Sequence, residues 1–390
     1  MKKNMNVFLA GVILGLIVMG IGLLVIYRPM MLNKESLWKE SVIAKSNTEI
    51  NAAKKTNETS KKLDKDLQVL NNDFQKKMKQ TNFVGSFYGV KDNEEFTDTG
   101  LGYANASKKM LNGKDSMYSI ASIQKVMTAI LLGQALLQTK HNLDEPLSNF
   151  LPDVPNAKNV TLRSMLQMVS GYGPQVAPKG KNLSGQKLYE YIINNMKMTS
   201  VGTYKYAPVN YLLLTFVIEK LTGKSYEDYF KEVIKQPLGL AHTDFQQDIV
   251  NNEERAVGYK SKTKDNYKEI SEMTMAQYNY EKGTGNLFMS SKDLFKVLSQ
   301  YLKGNIVPMT MVRELNRPEG QTTYCGGLYH NDSRVTAHGM ERGFEPTVLM
   351  SYDGKSGIVS LGNMKLKEYT NMKSLIRIYP TLFKQDQTIA

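Results

Sequence analysis

Cysteine is almost absent, for Cys325 stands alone in the chain. That excludes an intramolecular disulfide and any metal site built from several thiolates, so the fold must be held by its core. Histidine is scarce too: His141, His242, His330 and His338 have no spacing suited to a metal ion, and no cofactor is expected. No nucleic-acid-binding motif occurs, and the lysines are scattered rather than gathered into an arm, so nucleic acid is not an expected partner. There is no internal repeat.

What the chain has in excess is positive charge. Lys and Arg number 50 against 37 Asp and Glu, a formal net charge of +13 over 390 residues. Such a balance favours contact with polyanions, whether nucleic acid, anionic lipid or a phosphate-rich wall polymer, or else simply makes a soluble basic surface. The length allows one large globular domain with accessories.

Val7 to Tyr27 is a nearly unbroken apolar run without charge, and about 20 residues at 1.5 Å rise span a hydrocarbon core. Residues 1–28 are therefore expected to be a cytoplasmic tip and one transmembrane helix. A cleaved signal peptide fits less well, because the run exceeds a signal core and no small-x-small site precedes Arg28. Lys2 and Lys3 favour an inside N-terminus, opposed by Arg28, Lys34 and Lys39 beyond the run. This makes the expected protein a single-pass cell-membrane protein with its globular part extracellular. Residues 29–82 are Lys-rich and polar and read as a solvated stalk; Asn71 to Lys79 has helical propensity but no evident face to bury.

Composition changes at Phe83, and residues 83–390 read as one domain. Strand patterns occur at Val84 to Val90 and again in Gly326 to Tyr329, Thr347 to Tyr352 and Gly357 to Leu361. Helical periodicity fills the middle, in Ser122 to Thr139, Leu162 to Met168, Leu188 to Asn195, Tyr211 to Leu221 and Tyr226 to Lys235, with an amphipathic stretch from Tyr369 to Leu382. The expected fold class is α/β of the α+β type: an antiparallel sheet built from both ends of the domain, with flanking helices and a helical insertion.

A serine hydroxyl is a poor nucleophile unless a neighbouring base takes its proton, and a desolvated lysine can be that base. Ser122-Ile123-Gln124-Lys125 supplies such a pair, three apart and so on one helical face. The same spacing occurs at Ser36/Lys39, Ser184/Lys187 and Ser261/Lys264, but only Ser122 opens a strongly apolar helix, Val126 to Leu132. An N-capping serine with a surface lysine would be followed by charged turns, and there are none. A second signal is Tyr204-Lys205-Tyr206-Ala207-Pro208 before an apolar helix, and a third is His338-Gly339-Met340-Glu341-Arg342-Gly343. Taken alone, these are a core tyrosine at a helix start and a hairpin or bulge.

Together, in this order and spacing, the three motifs resemble the penicillin-recognising serine hydrolases, which include class C β-lactamases, D-alanyl carboxypeptidases and related esterases. The resemblance runs from about Phe83 to Phe383 and includes Gly102-Tyr103-Ala104-Asn105, Ser170-Gly171 and Gly283-Thr284-Gly285-Asn286. It implies Ser122 as nucleophile, Lys125 as its base and Tyr206 as proton shuttle. It further implies His338, Gly339, Met340, Glu341 and Arg342 as substrate-binding residues, with an oxyanion hole from the Ser122 amide and one near Glu341. Two departures stand out. Pro208 replaces the usual Asn of the second motif, and His338 replaces the usual Lys of the third. Both weaken recognition of a peptide ending in a carboxylate.

With the apolar run and the Lys-rich stalk, the architecture resembles the teichoic-acid D-alanine esterases of Gram-positive bacteria. The resemblance implies removal of D-alanyl esters from teichoic or lipoteichoic acid through an acyl-enzyme. Glu341 or Glu345 would attract the alanyl ammonium, and Arg342 with nearby lysines the polymer phosphates. A D-alanyl-D-alanine carboxypeptidase and a non-catalytic wall-binding protein are the alternatives.

Overall fold

The computed structural model describes residues 61–383, apart from 175–177, 179, 321 and 368. The chain divides into two compact units, Met1–Asp66 and Leu67–Ala390. Of the first unit only 61–66 are described, and they are helical. The apolar run of 7–27 and the stalk over 29–60 lie outside the described residues. Among the described residues no helix is long and apolar enough to cross a membrane.

In the second unit, residues 67–79 form helix α1, followed by strands β1 (Gly85–Lys91) and β2 (Glu94–Leu101). The helical middle contains α2 (Gln124–Thr139) and α3 (Val209–Thr222). Short strands β3 (Tyr259–Ser261) and β4 (Glu269–Ile270) precede α4 (Ser291–Leu302). Six strands then close the chain: β5 (Tyr324–Cys325), β6 (Leu328–His330), β7 (Val335–His338), β8 (Glu345–Met350), β9 (Gly357–Gly362) and β10 (Met364–Leu366). The last element is α5 (Asn371–Leu382).

The main sheet has seven strands in the order β5-β6-β7-β8-β9-β1-β2, all neighbours antiparallel. Strands from both ends of the unit thus meet at β9 and β1, as the sequence pattern implied. Side chains alternate across a strand with period two, which divides the core into two layers. Tyr88, Val90, Val335, Ala337, Val348 and Met350 face α2 and α4 in the larger cluster. Phe87, Phe96, Leu349 and Ile358 face the other way, onto Phe74 and Met78 of α1 and Leu375 and Ile378 of α5.

That second layer corrects the stalk boundary. The stretch 67–82 was expected to be solvated, yet Phe74 and Met78 are fully buried. Phe74 meets Phe87 edge-on, with ring centroids 4.8 Å apart. Leu67, Leu70, Phe74 and Met78 make one stripe on a lysine-rich helix, and the face that receives it combines Phe87 and Phe96 with residues of β8, β9 and α5. Helix α2 is the opposite case. From Gln124 to Leu136 every residue but Gln134 is buried, as an all-round apolar helix must be.

Phe74→Ala should therefore cost about 3–5 kcal/mol of stability, the usual range for truncating a buried aromatic ring. Urea unfolding of the chain would detect it; an unchanged midpoint would mean that α1 is not part of the folded unit.

Candidate active site

Ser122 lies in a single 3-10 turn, Ala121–Ile123, that leads directly into α2. The turn is unusual for its backbone: Ala121 has φ +44°, a left-handed conformation that costs a non-glycine residue about 1–3 kcal/mol unless its surroundings impose it. They do here. The Ser119 hydroxyl accepts from the Ala121 amide at 3.2 Å, and the Ile120 amide donates to the Leu287 carbonyl at 3.1 Å. The result presents Ser122 at the positive end of a buried helix, where backbone amides lack partners.

One turn on, Lys125 is fully buried. Its Nζ donates to Ser122 Oγ at 3.0 Å and to the Thr284 carbonyl at 3.3 Å. It also sits over the ring of Tyr206 at 5.3 Å from the centroid, on the electron-rich face that attracts a cation. The second acceptor comes from the 283–286 loop, which Gln124 fastens to α2 through Asn286 Oδ1 at 2.8 Å and the Leu287 amide at 3.0 Å. Three sequence-distant segments therefore converge on one amino group.

Tyr206 belongs to an aromatic cluster, edge-on to Tyr324 at 5.9 Å, and Tyr324 is edge-on to Tyr329 at 4.9 Å. Its position is thus set by packing. The amide nearest in sequence to the missing motif asparagine, Asn210, is no substitute: it is fully buried and accepts from the Ser170 hydroxyl at 2.5 Å while donating to the Ala207 carbonyl at 3.0 Å.

The third motif does approach the serine, through its glycine. A β-carbon on Gly339 would lie 2.8 Å from Ala121 Cβ and 3.0 Å from the Ser122 nitrogen, so only glycine permits this approach. The oxyanion donor expected near Glu341 is corrected by one residue. The Glu341 amide donates to the Phe344 carbonyl at 2.9 Å and is occupied, and that of Gly339 donates to Pro346 at 3.0 Å. The Met340 amide between them makes no hydrogen bond among the described residues and is the one available beside Ser122. Met340 and Arg342 present exposed side chains.

His338 and Glu341 have exchanged their expected prominence. His338 Nε2 lies 3.2 Å from Glu345 Oε1, which also accepts from the Met372 amide at 3.3 Å. Both groups sit on the sheet face that α5 covers, so Glu345 is committed there. Glu341 accepts from the Ser119 hydroxyl at 3.2 Å through Oε2, while its Oε1 is shielded from solvent and makes no hydrogen bond. Burial and the neighbouring Glu281 carboxylate push the Glu341 carboxyl well above the usual carboxylate range, opposed by Ser119, Lys125 and Arg342. Glu281 itself accepts from the Thr284 hydroxyl at 2.5 Å. Each of the two carboxylates comes within 3.3 Å of where a Gly285 β-carbon would stand. Glu281 and Ser119 carried no motif signal in the sequence, since each acts through a tertiary neighbour.

Comparison with known proteins agrees with this geometry. The β-lactamase family model matches residues 70–343. A putative penicillin-binding protein, PbpX, of Bacillus subtilis (strain 168) is 26% identical over 316 residues, covering 80% of this chain and 78% of the relative. A teichoic acid D-alanine hydrolase of Staphylococcus aureus is 27% identical over 311 residues, covering 78% of this chain and 76% of that one. The crystal structure of FmtA from Staphylococcus aureus superposes with a TM-score of 0.72 at 25% identity, covering 81% of this chain and 87% of that one. The family match runs from α1 through the serine–lysine pair to the third motif, and the chain belongs to the β-lactamase family of serine hydrolases.

Proposed function

We propose that this serine hydrolase removes D-alanyl esters from teichoic or lipoteichoic acid. The observation that carries the reading is the hydrogen bond from Lys125 to Ser122 in a site where two glutamates, Glu281 and Glu341, stand close together. A substrate ending in a carboxylate would be repelled by Glu281, whereas an acyl group bearing a free ammonium would be drawn towards it, with Glu341 available as a hydrogen-bond partner. Similarity to a protein named teichoic acid D-alanine hydrolase supports the same substrate. The hydrophobic run of 7–27 would anchor the chain in the cell membrane with the catalytic unit outside, where that polymer lies.

In the proposed reaction Lys125 Nζ accepts the Ser122 proton as Oγ attacks the ester carbonyl carbon. The amides of Ser122 and Met340 hold the negative oxygen of the tetrahedral intermediate. The C–O bond to the polymer breaks, and its alkoxide takes a proton relayed through Lys125 and Tyr206. Water then attacks the alanyl-enzyme carbonyl and gives its proton to the same groups; the bond from the acyl carbon to Ser122 Oγ breaks, Oγ takes that proton back, and D-alanine leaves. An ester needs less assistance at its leaving group than an amide, which suits a second motif without the asparagine amide.

Ser122→Ala should lower ester hydrolysis by about 10³-fold or more, and Lys125→Met, which keeps the buried stem, by about 10²–10⁴-fold. Both are measurable as free D-alanine released from D-alanylated lipoteichoic acid. Muropeptides ending in D-Ala-D-Ala are the comparison. Release from the muropeptides alone would make the protein a carboxypeptidase instead, and unchanged release by Ser122→Ala would remove the catalytic role altogether.

Glu341 generates a pH prediction. A carboxyl whose folded pKa is raised contributes stability that is fully present below its unfolded pKa and is lost as pH rises through the folded value. Glu341→Gln, uncharged at every pH, should therefore gain melting temperature over the parent between about pH 4 and pH 8. A difference that stays constant across that range would mean that Glu341 is an ordinary ionised carboxylate.

A further inference from the structure

Strands β10, β3 and β4 form a small separate sheet with a groove that the catalytic chemistry does not use. It encloses about 870 Å³ and is lined by Lys260, Lys262, Lys268, Lys365 and Lys367, with Glu269. Register explains the gathering. Because β10 runs parallel to β3, Lys365 stands opposite Lys260 and Met364 opposite Tyr259. Alternation sends Tyr259, Met364 and Leu366 into a buried cluster with Val84 and leaves both lysines exposed. Like charges directly opposite one another on neighbouring strands destabilise a sheet.

Little relieves that repulsion. Lys260 pairs with Glu269 at 3.4 Å, in a bridge exposed on both sides and so worth little. Among the described residues Lys262, Lys268, Lys365 and Lys367 have no ion pair. Elsewhere Lys231, Lys235, Lys282 and Lys292 each have a carboxylate partner. Four cations without an ion pair thus share one concave place.

The groove adjoins the third motif. Gly343 is pressed onto the start of β3, so that a β-carbon there would come within 2.4 Å of the Gly258 carbonyl carbon and the Tyr259 nitrogen. Its amide donates to the Ser271 carbonyl at 2.9 Å. The turn that brings Gly339 to Ser122 and exposes Arg342 therefore packs directly against the strand that carries Lys260.

We infer that this groove binds the backbone of a linear phosphodiester polymer and holds it alongside the catalytic serine. The inference rests on the reading of the chain as an esterase of such a polymer, and adds where its phosphates are held. Lysine ammoniums are mobile point charges suited to spaced phosphates. Single-stranded nucleic acid, by contrast, is gripped by aromatic stacking as well as charge, and among the described residues no aromatic side chain lines the groove.

The test is binding by the full chain in detergent of lipid-free, D-alanine-free poly(glycerol phosphate), titrated calorimetrically across a salt series. Lys262→Glu/Lys365→Glu/Lys367→Glu should weaken binding by at least about tenfold and lower the slope of log affinity against log salt by about 2, at about 0.7 for each phosphate no longer neutralised. The Gln triple variant should give the same reduction in slope without reversed charge. Melting temperatures identify any variant that fails to fold, in which case the Gln set decides. Parent-like affinity and slope in a folded variant would overturn the inference, as would equal or tighter binding of a single-stranded DNA oligomer or of phosphatidylglycerol vesicles through the same lysines. The readout requires no ester cleavage, so polymer binding without D-alanine release would retain the groove while rejecting the esterase reading.

Discussion

The burial of Lys125 is the constraint around which the site is arranged. A buried polar group without partners costs about 1–3 kcal/mol, so its amino group must be supplied with acceptors from inside the fold. Ser122 supplies one from the same helix and Thr284 the other from a loop 159 residues away. Gln124 keeps that loop against α2, and the left-handed Ala121 aims the serine. Loss of any of these supports would loosen the geometry of the others, because all of them act on a single short segment, 119–125.

The sheet contributes by proximity rather than by side-chain chemistry. Gly339 has no side chain to offer, which lets this turn approach the Ser122 nitrogen, and the Met340 amide that follows it makes no hydrogen bond among the described residues. The same turn moves His338 onto Glu345 and positions Glu341 near Glu281. The third motif in this chain thus sets the Glu341 carboxyl near Lys125 and has a histidine where the family pattern has a cation. In the proposed reading, selectivity for a cationic acyl group and attraction for an anionic polymer need opposite charges, which would come from the half-buried Glu281 and Glu341 and from the exposed lysine groove.

Legibility in the sequence followed the range of the interaction. The helix behind Ser122 was readable because its burial is all-round and contiguous, and the strands at 345–350 and 357–362 were readable as dense apolar runs. Helix α1 was not, because its stripe of Leu67, Leu70, Phe74 and Met78 lies among lysines and its receiving face, built from β1, β2, β8, β9 and α5, exists only once the chain has folded. The short strands β3 and β10 were missed for a similar reason: three residues carry no periodicity, and only their parallel pairing defines them.

By itself the sequence singled out Ser122 and Lys125 as the candidate pair, since two residues three apart on an apolar helix share one face. It also determined the class of fold, through the order of strand-like and helical segments. Only the tertiary structure decided which amide stands free beside Ser122, which glutamate keeps company with Lys125, and which lysines go unpaired. Those outcomes depend on hydrogen bonds and charges contributed across hundreds of residues, and the free energy of each such interaction is set by the burial and the partner that folding supplies.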